Sequence, residues 1–265
     1  NDAFSQGTPK SLLNSNQLTL KLPEEETIVD DLISFNDFEK GTIKRSTEMQ
    51  VGDEVKRVDT FINEFWTSKQ RAANSLHEIS FRACFKPQLP RFFIERLSQP
   101  GDSVYDPFAG RGTTLIEAAL LGRVPIGCDV NPISSAMTSP RLKPPFIEEI
   151  EERLASIDFG SSGSYPDELL VFYHPDTLDQ ICSLRSYFLD RQREDNLDDV
   201  DMWIRLVAIN RLTGHSNGFF SVYTLPPNQA VTVESQRKIN LKRGQVPPLR
   251  LSLIHISEPT RPERM

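Results

Sequence analysis

Three cysteines are too few and too scattered to frame the fold. Cys84, Cys128 and Cys182 are odd in number and far apart. That spacing suits neither a disulfide framework nor a zinc site, and it suits thiols in a reducing compartment. Long apolar runs are also missing. Nothing approaches the roughly twenty apolar residues of a membrane-spanning helix. The opening NDAFSQGTPK shows neither the basic flank nor the apolar stretch of a secretory leader, and it carries no methionine. Glycine is sparse, thirteen against nineteen prolines, so much of the chain should be loop. An excess of positive charge is absent too. The net charge of -7 excludes a uniformly basic nucleic-acid binder. The exception is residues 201–250, where seven Lys or Arg face two acids. This segment could touch phosphates or simply form a solvated helix surface.

What is present suits one large domain, or one domain with an appendage. A hydrophobic share of 38% over 265 residues is enough for a core. Residues 1–57 are polar and acidic and are expected to form a partly disordered arm. Residues 58–80 space Phe61, Phe65, Trp66, Ala72 and Leu76 near a helical period, and a helix is expected there. LPRFFIERL reads as a helix closed by a PGD turn. SVYDPF follows as a strand, GTTLIEAALLG as a helix stopped at Gly122, VPIGCDV as a second strand and NPISSAMTSP as a short helix. PPFIEEIEERLASI, PDTLDQICSLRSYFLDR and DDVDMWIRLVAINRLTG read as helices. ELLVFYH and the end of NGFFSVYTLPP read as strands. The alternation implies an α/β fold with a mainly parallel sheet.

The tail LSLIHISEPTRPERM does not read like the rest. Residues 251–261 can be back-translated into a string that resembles a transposon-end adapter from sequencing libraries. Residues 251–265 are therefore expected to be non-native. His255 drops out with them, and the natural chain is expected to continue past Arg250.

The informative stretch is DPFAGRGTT, residues 106–114. A strand, a glycine turn and a helix form the ligand-holding corner of a doubly wound sheet. The helix start offers unpaired N–H groups and a partial positive charge. No lysine follows Gly112, so the corner is not a triphosphate loop. Leu115 stands where a dinucleotide fingerprint needs a third small residue. S-adenosylmethionine fits better. Asp106 can face its ammonium, and N–H groups near Gly110 and Gly112 can take its carboxylate. Asp129, at the end of the next strand, can accept from the ribose hydroxyls. The competing reading is a structural glycine turn with two surface aspartates.

DPFAGRGTTLIEAALLGRVPIGCDVNP resembles the cofactor-binding core of amino-group DNA methyltransferases, which modify cytosine N4 or adenine N6. That pattern runs D-P-F-x-G-S-G-T-T, a helix, then G-R-x-x-I-G-x-D-x-x-P. Arg111 stands where serine is usual, and its side chain is expected to point to solvent. The resemblance implies a Rossmann-like S-adenosylmethionine-dependent methyltransferase fold, incomplete at the C-terminus. It covers residues 77–145 well, inside a partial domain of residues 58–250. It implies that Asp106, Pro107, Phe108, Gly110, Gly112, Thr113, Thr114 and Asp129 surround the cofactor. HEISFRACFKPQLP resembles a second cofactor-side motif, which would put Phe85, Lys86 and Pro87 beside the methionine end. No metal is expected. On this reading Gly112→Val should abolish cofactor binding without unfolding the protein.

The family's catalytic motif, [DNS]-P-P-[YFW], accepts the hydrogens of the target amine and stacks on a base swung out of the duplex. TSPR (138–141), KPPF (143–146) and LPPN (225–228) all fail it. Lys143 is a donor where an acceptor is needed. Leu225 cannot accept through its side chain, and Asn228 cannot stack. No catalytic residue is assigned, the loss is attributed to truncation, and the chain alone is expected to be inactive. His77, His174 and His215 read as surface or core histidines. The implied partners are duplex DNA with a flipped base and a restriction endonuclease, in the cytoplasm and without a membrane. Two alternatives stand: an RNA methyltransferase of the guanine-N2 type, towards which LIEAA (115–119) leans, and a cofactor-binding subunit without catalysis.

Overall fold

A computed structural model describes residues 25–67, 74–79, 85–160, 165–212, 218–222 and 231–250. Cys84, His215, the LPPN segment and residues 251–265 lie outside the described residues. The chain divides into two compact units, residues 1–63 and 64–265.

The first unit holds helix α1 (Glu25–Ser34) and a hairpin of β1 (Ile43–Val51) and β2 (Glu54–Ile62). Residues 25–62 are thus more structured than the expected arm. The expected helix over 58–80 is also corrected, because residues 58–62 complete β2. Phe61, Phe65 and Trp66 happen to fall near a helical spacing. The local signal that wins is Gly52-Asp53, a two-residue hairpin loop between Val51 and Glu54. The antiparallel register pairs Ile43 with Ile62 and Ser46 with Asp59. Ser46 Oγ donates to Asp59 Oδ1 at 2.6 Å, and Lys44 pairs with the same carboxylate at 2.7 Å. These partners hold the Asp59 carboxyl below the ordinary aspartate value, against the small opposing effect of burial.

The second unit mixes helices with one small sheet. Helix α2 (Gln88–Leu97) buries Pro90, Phe92 and Ile94. Phe65 and Trp66 stack on Phe92 at 5.2 and 6.0 Å between ring centroids. Strand β3 (Ser103–Asp106), helix α3 (Thr113–Leu120) and strand β4 (Val124–Gly127) form a βαβ unit with the strands parallel. Gly127 has no Cβ because the methyl groups of Leu115 on α3 occupy that space. Helix α4 (Pro132–Leu142) follows, started by the Asn131 side chain, which accepts from Ile133 N.

Helices α5 (Ile147–Ser156), α6 (Pro175–Arg193) and α7 (Asp199–Arg211) enclose the larger core of Ile150, Leu154, Leu184, Phe188, Ile204 and Phe220. Asp201, fully buried on α7, accepts from Arg153, Arg191 and Tyr187. A cavity of about 260 Å³ between α6 and α7 is lined by Ile181, Leu184, Phe188, Ile209, Leu212 and Phe220. Helix α8 (Val233–Arg243) closes the described chain.

Among the described residues the parallel sheet has only these two strands, so the expected wider sheet is not seen. ELLVFYH is a correction: Asp167–Val171 form a 3-10 turn. Its carbonyls are taken laterally, Val171 O by Asn240 Nδ2 at 2.7 Å and Phe172 O by Val222 N at 2.9 Å. The strand expected at the end of NGFFSVYTLPP lies outside the described residues, and residues 218–222, near the start of that segment, hold none. No described helix is long and apolar enough to cross a membrane.

Candidate functional site

Strands β3 and β4 end side by side, and their ends bring Asp106 and Asp129 together. The ladder continues past the strands: Cys128 N donates to Asp106 O at 3.1 Å and Ala109 N to Cys128 O at 3.0 Å. Asp106 Oδ1 accepts from Phe108 N at 3.0 Å, an aspartate turn that opens the loop. Its other oxygen has no hydrogen-bond partner among the described residues. Pro107 and Phe108 are exposed, and Phe108 is 85% accessible.

The loop then folds back onto Asp129. Gly110 N donates to Asp129 Oδ2 at 2.8 Å, and Asn131 N donates to Oδ1 at 2.8 Å. The N–H groups of Asn131 and Gly110 hold the Asp129 carboxyl below the ordinary aspartate value. Each oxygen keeps a further lone pair, so the carboxylate can still accept hydroxyl hydrogens.

Gly112 ends the loop and starts α3 with φ +78°. Its N–H donates to Ala109 O at 2.6 Å. A Cβ here would collide with Oγ1 and Cγ2 of Thr138 on α4. The expectation that Gly112→Val spares the fold is therefore corrected, since both backbone angle and contact forbid a side chain. Thr113 is buried and Thr114 half-buried, and no side chain caps the start of α3.

Arg111 is a second correction. It does not point to solvent: Nε donates to Thr113 Oγ1 and Nη1 to Ile79 O, both at 3.0 Å. The serine of the pattern is replaced by a side chain that fastens the loop to residues 74–79. Phe85 and Lys86 are exposed and Pro87 is buried at the start of α2. No hydrogen bond among the described residues ties these three to the corner.

Sequence reasoning missed the groups behind the loop. His77 and Glu117 are buried, with Nε2 of the ring 2.7 Å from Oε1. This fits the reading of His77 as a core histidine. Arg141, the last residue of the TSPR segment, lies inside α4 and is buried. Only its place near the end of a short helix could have hinted at this. Lys143 of KPPF pairs with Asp199. Among the described residues no cluster of three metal-ligating side chains occurs.

The corner presents two carboxylates, Asp106 and Asp129, and a helix start without a side-chain cap. The N–H groups of Gly110 and Gly112, expected to take a ligand carboxylate, are instead given to Asp129 Oδ2 and Ala109 O. The missing Cβ of Gly110 leaves room for close approach, with Phe108 O the nearest atom at 3.9 Å. The apolar cavity between α6 and α7 is lined by none of these residues.

Comparison with known proteins agrees with this geometry. A family model described as DNA methylase matches residues 10–137. The type II methyltransferase M.MjaII of Methanocaldococcus jannaschii is 31% identical over 88 residues, 33% of this chain and 17% of that protein. The type II methyltransferase M.BsoBI of Geobacillus stearothermophilus is 29% identical over 140 residues, 47% of this chain and 27% of that one. A tRNA (guanine(10)-N2)-dimethyltransferase of Methanocaldococcus jannaschii is 33% identical over 106 residues, 34% and 30% of the two chains. The chain thus spans less than a third of the length of each of these relatives. No solved structure matches it at a comparable level. The strand-end aspartates and the glycine loop thus lie inside the region that is similar to DNA methylases, residues 10–137.

Proposed function

We propose that the corner binds S-adenosylmethionine and that the whole protein methylates an exocyclic amine of a DNA base, cytosine N4 or adenine N6. The observation that carries this is the placing of Asp106 at the end of β3 and of Asp129 two residues past the end of the adjacent β4, with Gly110 bridging to Asp129. Bound there, S-adenosylmethionine supplies a methyl group on a sulfonium, a good leaving group. Asp106 offers its free oxygen to the ammonium. Asp129 accepts from the ribose while its position is held by Gly110 and Asn131. The start of α3 faces the carboxylate with N–H groups and a partial positive charge. These residues bind and orient, and no residue of this chain is assigned to activate the base.

The substrate is then duplex DNA with the target base flipped out, and the type II relatives suggest a restriction endonuclease as functional partner. Arg237, Lys242 and Arg243 on α8 are exposed cations suited to phosphate contacts. The wider Rossmann-like sheet belongs to this proposal as well. A second reading, methylation of RNA at guanine N2, is supported by the tRNA-modifying relative.

Calorimetric titration of the chain with S-adenosylmethionine tests the first step. Saturable binding that disappears in Asp106→Ala and Asp129→Ala supports it, and unchanged binding in both variants overturns it. Incubating the full-length gene product with labelled cofactor and either duplex DNA or tRNA tests the second. Label in the amines of DNA bases is expected; label confined to tRNA favours the second reading.

A further inference from the structure

Behind the corner lies a buried guanidinium that the proposed function does not use. Arg141 is 2% exposed near the end of α4. Its Nε donates to Met137 O at 2.7 Å, Nη1 to Leu76 O at 2.8 Å and Nη2 to Arg111 O. All three acceptors are main-chain carbonyls, and no carboxylate among the described residues pairs with it. Burial, with the neighbouring Arg111 guanidinium, pulls its pKa down to about 10, which still leaves it charged at neutral pH. A buried cation without a counter-ion is costly, and carbonyl dipoles offset only part of that cost.

The location of this charge is specific. The Arg111 carbonyl belongs to the same peptide unit as the Gly112 N–H. The described chain has no cis peptide bond, and in a trans peptide the C=O and N–H point in opposite directions. Arg141 grips the carbonyl from behind, so the Gly112 N–H turns into the loop, where it meets Ala109 O. Arg141 also holds Leu76 O, while Arg111 holds Ile79 O. The two guanidiniums thus lie behind the loop at the start of α3, on the side that helix presents as positive.

We propose that Arg141 is a specificity-determining and positioning residue: its unpaired charge behind the Arg111–Gly112 peptide makes the corner select ligands that carry a carboxylate. This rests on the reading of the corner as the S-adenosylmethionine site and adds a selection that the glycine motif alone does not make. The anion that Arg141 lacks among the described residues is supplied by the ligand.

The test compares S-adenosylmethionine with its decarboxylated analogue, which keeps the sulfonium, the amine and the adenosine. Both are titrated calorimetrically into the full chain, into Arg141→Gln and into Arg141→Lys, with melting curves for each protein. The native chain should prefer the carboxylate-bearing ligand. Arg141→Gln, which can still donate to a carbonyl, should lose roughly tenfold of that preference, as expected for removing one nearby charge. Arg141→Lys should keep most of it. A preference unchanged in Arg141→Gln overturns the role of Arg141 and leaves the cofactor site standing. If the native chain binds neither ligand, the cofactor reading fails and this proposal with it. If Arg141→Gln does not fold, the arginine serves the fold rather than selection, and the proposal is overturned.

Discussion

Gly110 donates its N–H to Asp129 Oδ2 at 2.8 Å, joining the loop after β3 to the end of β4. With Ala109 N to Cys128 O and Cys128 N to Asp106 O, it links the two halves of the corner. Asp129 is both a candidate ligand group and the anchor of the glycine loop.

Asp129→Ala should weaken S-adenosylmethionine binding by at least about tenfold, the cost of losing one charge-assisted acceptor. Asp129→Asn should lose less, because its amide oxygen can still accept from one of the two N–H groups. Titration calorimetry on both variants checks this. Native affinity in Asp129→Ala would remove this residue from the site.

Gly112→Val should destabilise the protein itself. The residue sits at φ +78° against Thr138, and strain of this kind costs on the order of 1–3 kcal/mol. Gly110→Ala meets only Phe108 O at 3.9 Å, so it should cost about 1–2 kcal/mol for its left-handed backbone alone. Thermal melts without ligand should rank the native chain first, Gly110→Ala second and Gly112→Val last. The reverse order of the two variants contradicts the packing against α4.

Asp201→Ala should be the more damaging substitution among the helices. It leaves Arg153 and Arg191 without the fully buried carboxylate that α5 and α6 share with α7. Breaking a buried ion pair from one side costs about 3–5 kcal/mol. Urea denaturation measures it, and a loss under about 1 kcal/mol would mean that solvent reaches the cluster.

Acid should weaken the same junction. Burial pushes the Asp198 carboxyl up, but the Arg153 guanidinium, the Asp201 N–H and Arg191 outweigh it and bring its pKa down to about 2. The folded value lies below the ordinary 3.8, so this stabilisation is complete above about pH 4. It is lost as pH falls towards about 2. Denaturant midpoints across that window should fall less steeply for Asp198→Asn than for the native chain. Parallel slopes would show that Asp198 contributes nothing to acid sensitivity.

Much of this was legible without coordinates because the relevant signals are local. Helices α2 to α7 and strands β3 and β4 follow from periodicity, caps and turn residues within each segment. ELLVFYH reads as a strand by composition, yet it forms a 3-10 turn whose neighbours, Val222 and Asn240, come from segments distant in sequence. The hairpin escapes a periodicity reading because Phe61, Phe65 and Trp66 imitate a helical spacing across the end of β2. Arg111 was misjudged because its acceptor, Ile79 O, belongs to another segment.

The sequence by itself determined the corner: a carboxylate, a glycine turn, a helix start and a second carboxylate lie in one continuous stretch, 106–129. Their spacing suffices because a βαβ unit brings consecutive strand ends together. Only the tertiary structure decided what stands behind that corner. Thr138 forbids a side chain at Gly112, His77 meets Glu117, and Arg141 carries a buried charge against the Arg111 carbonyl. Burial and charge balance depend on which segments pack together, and no local pattern of residue types encodes that.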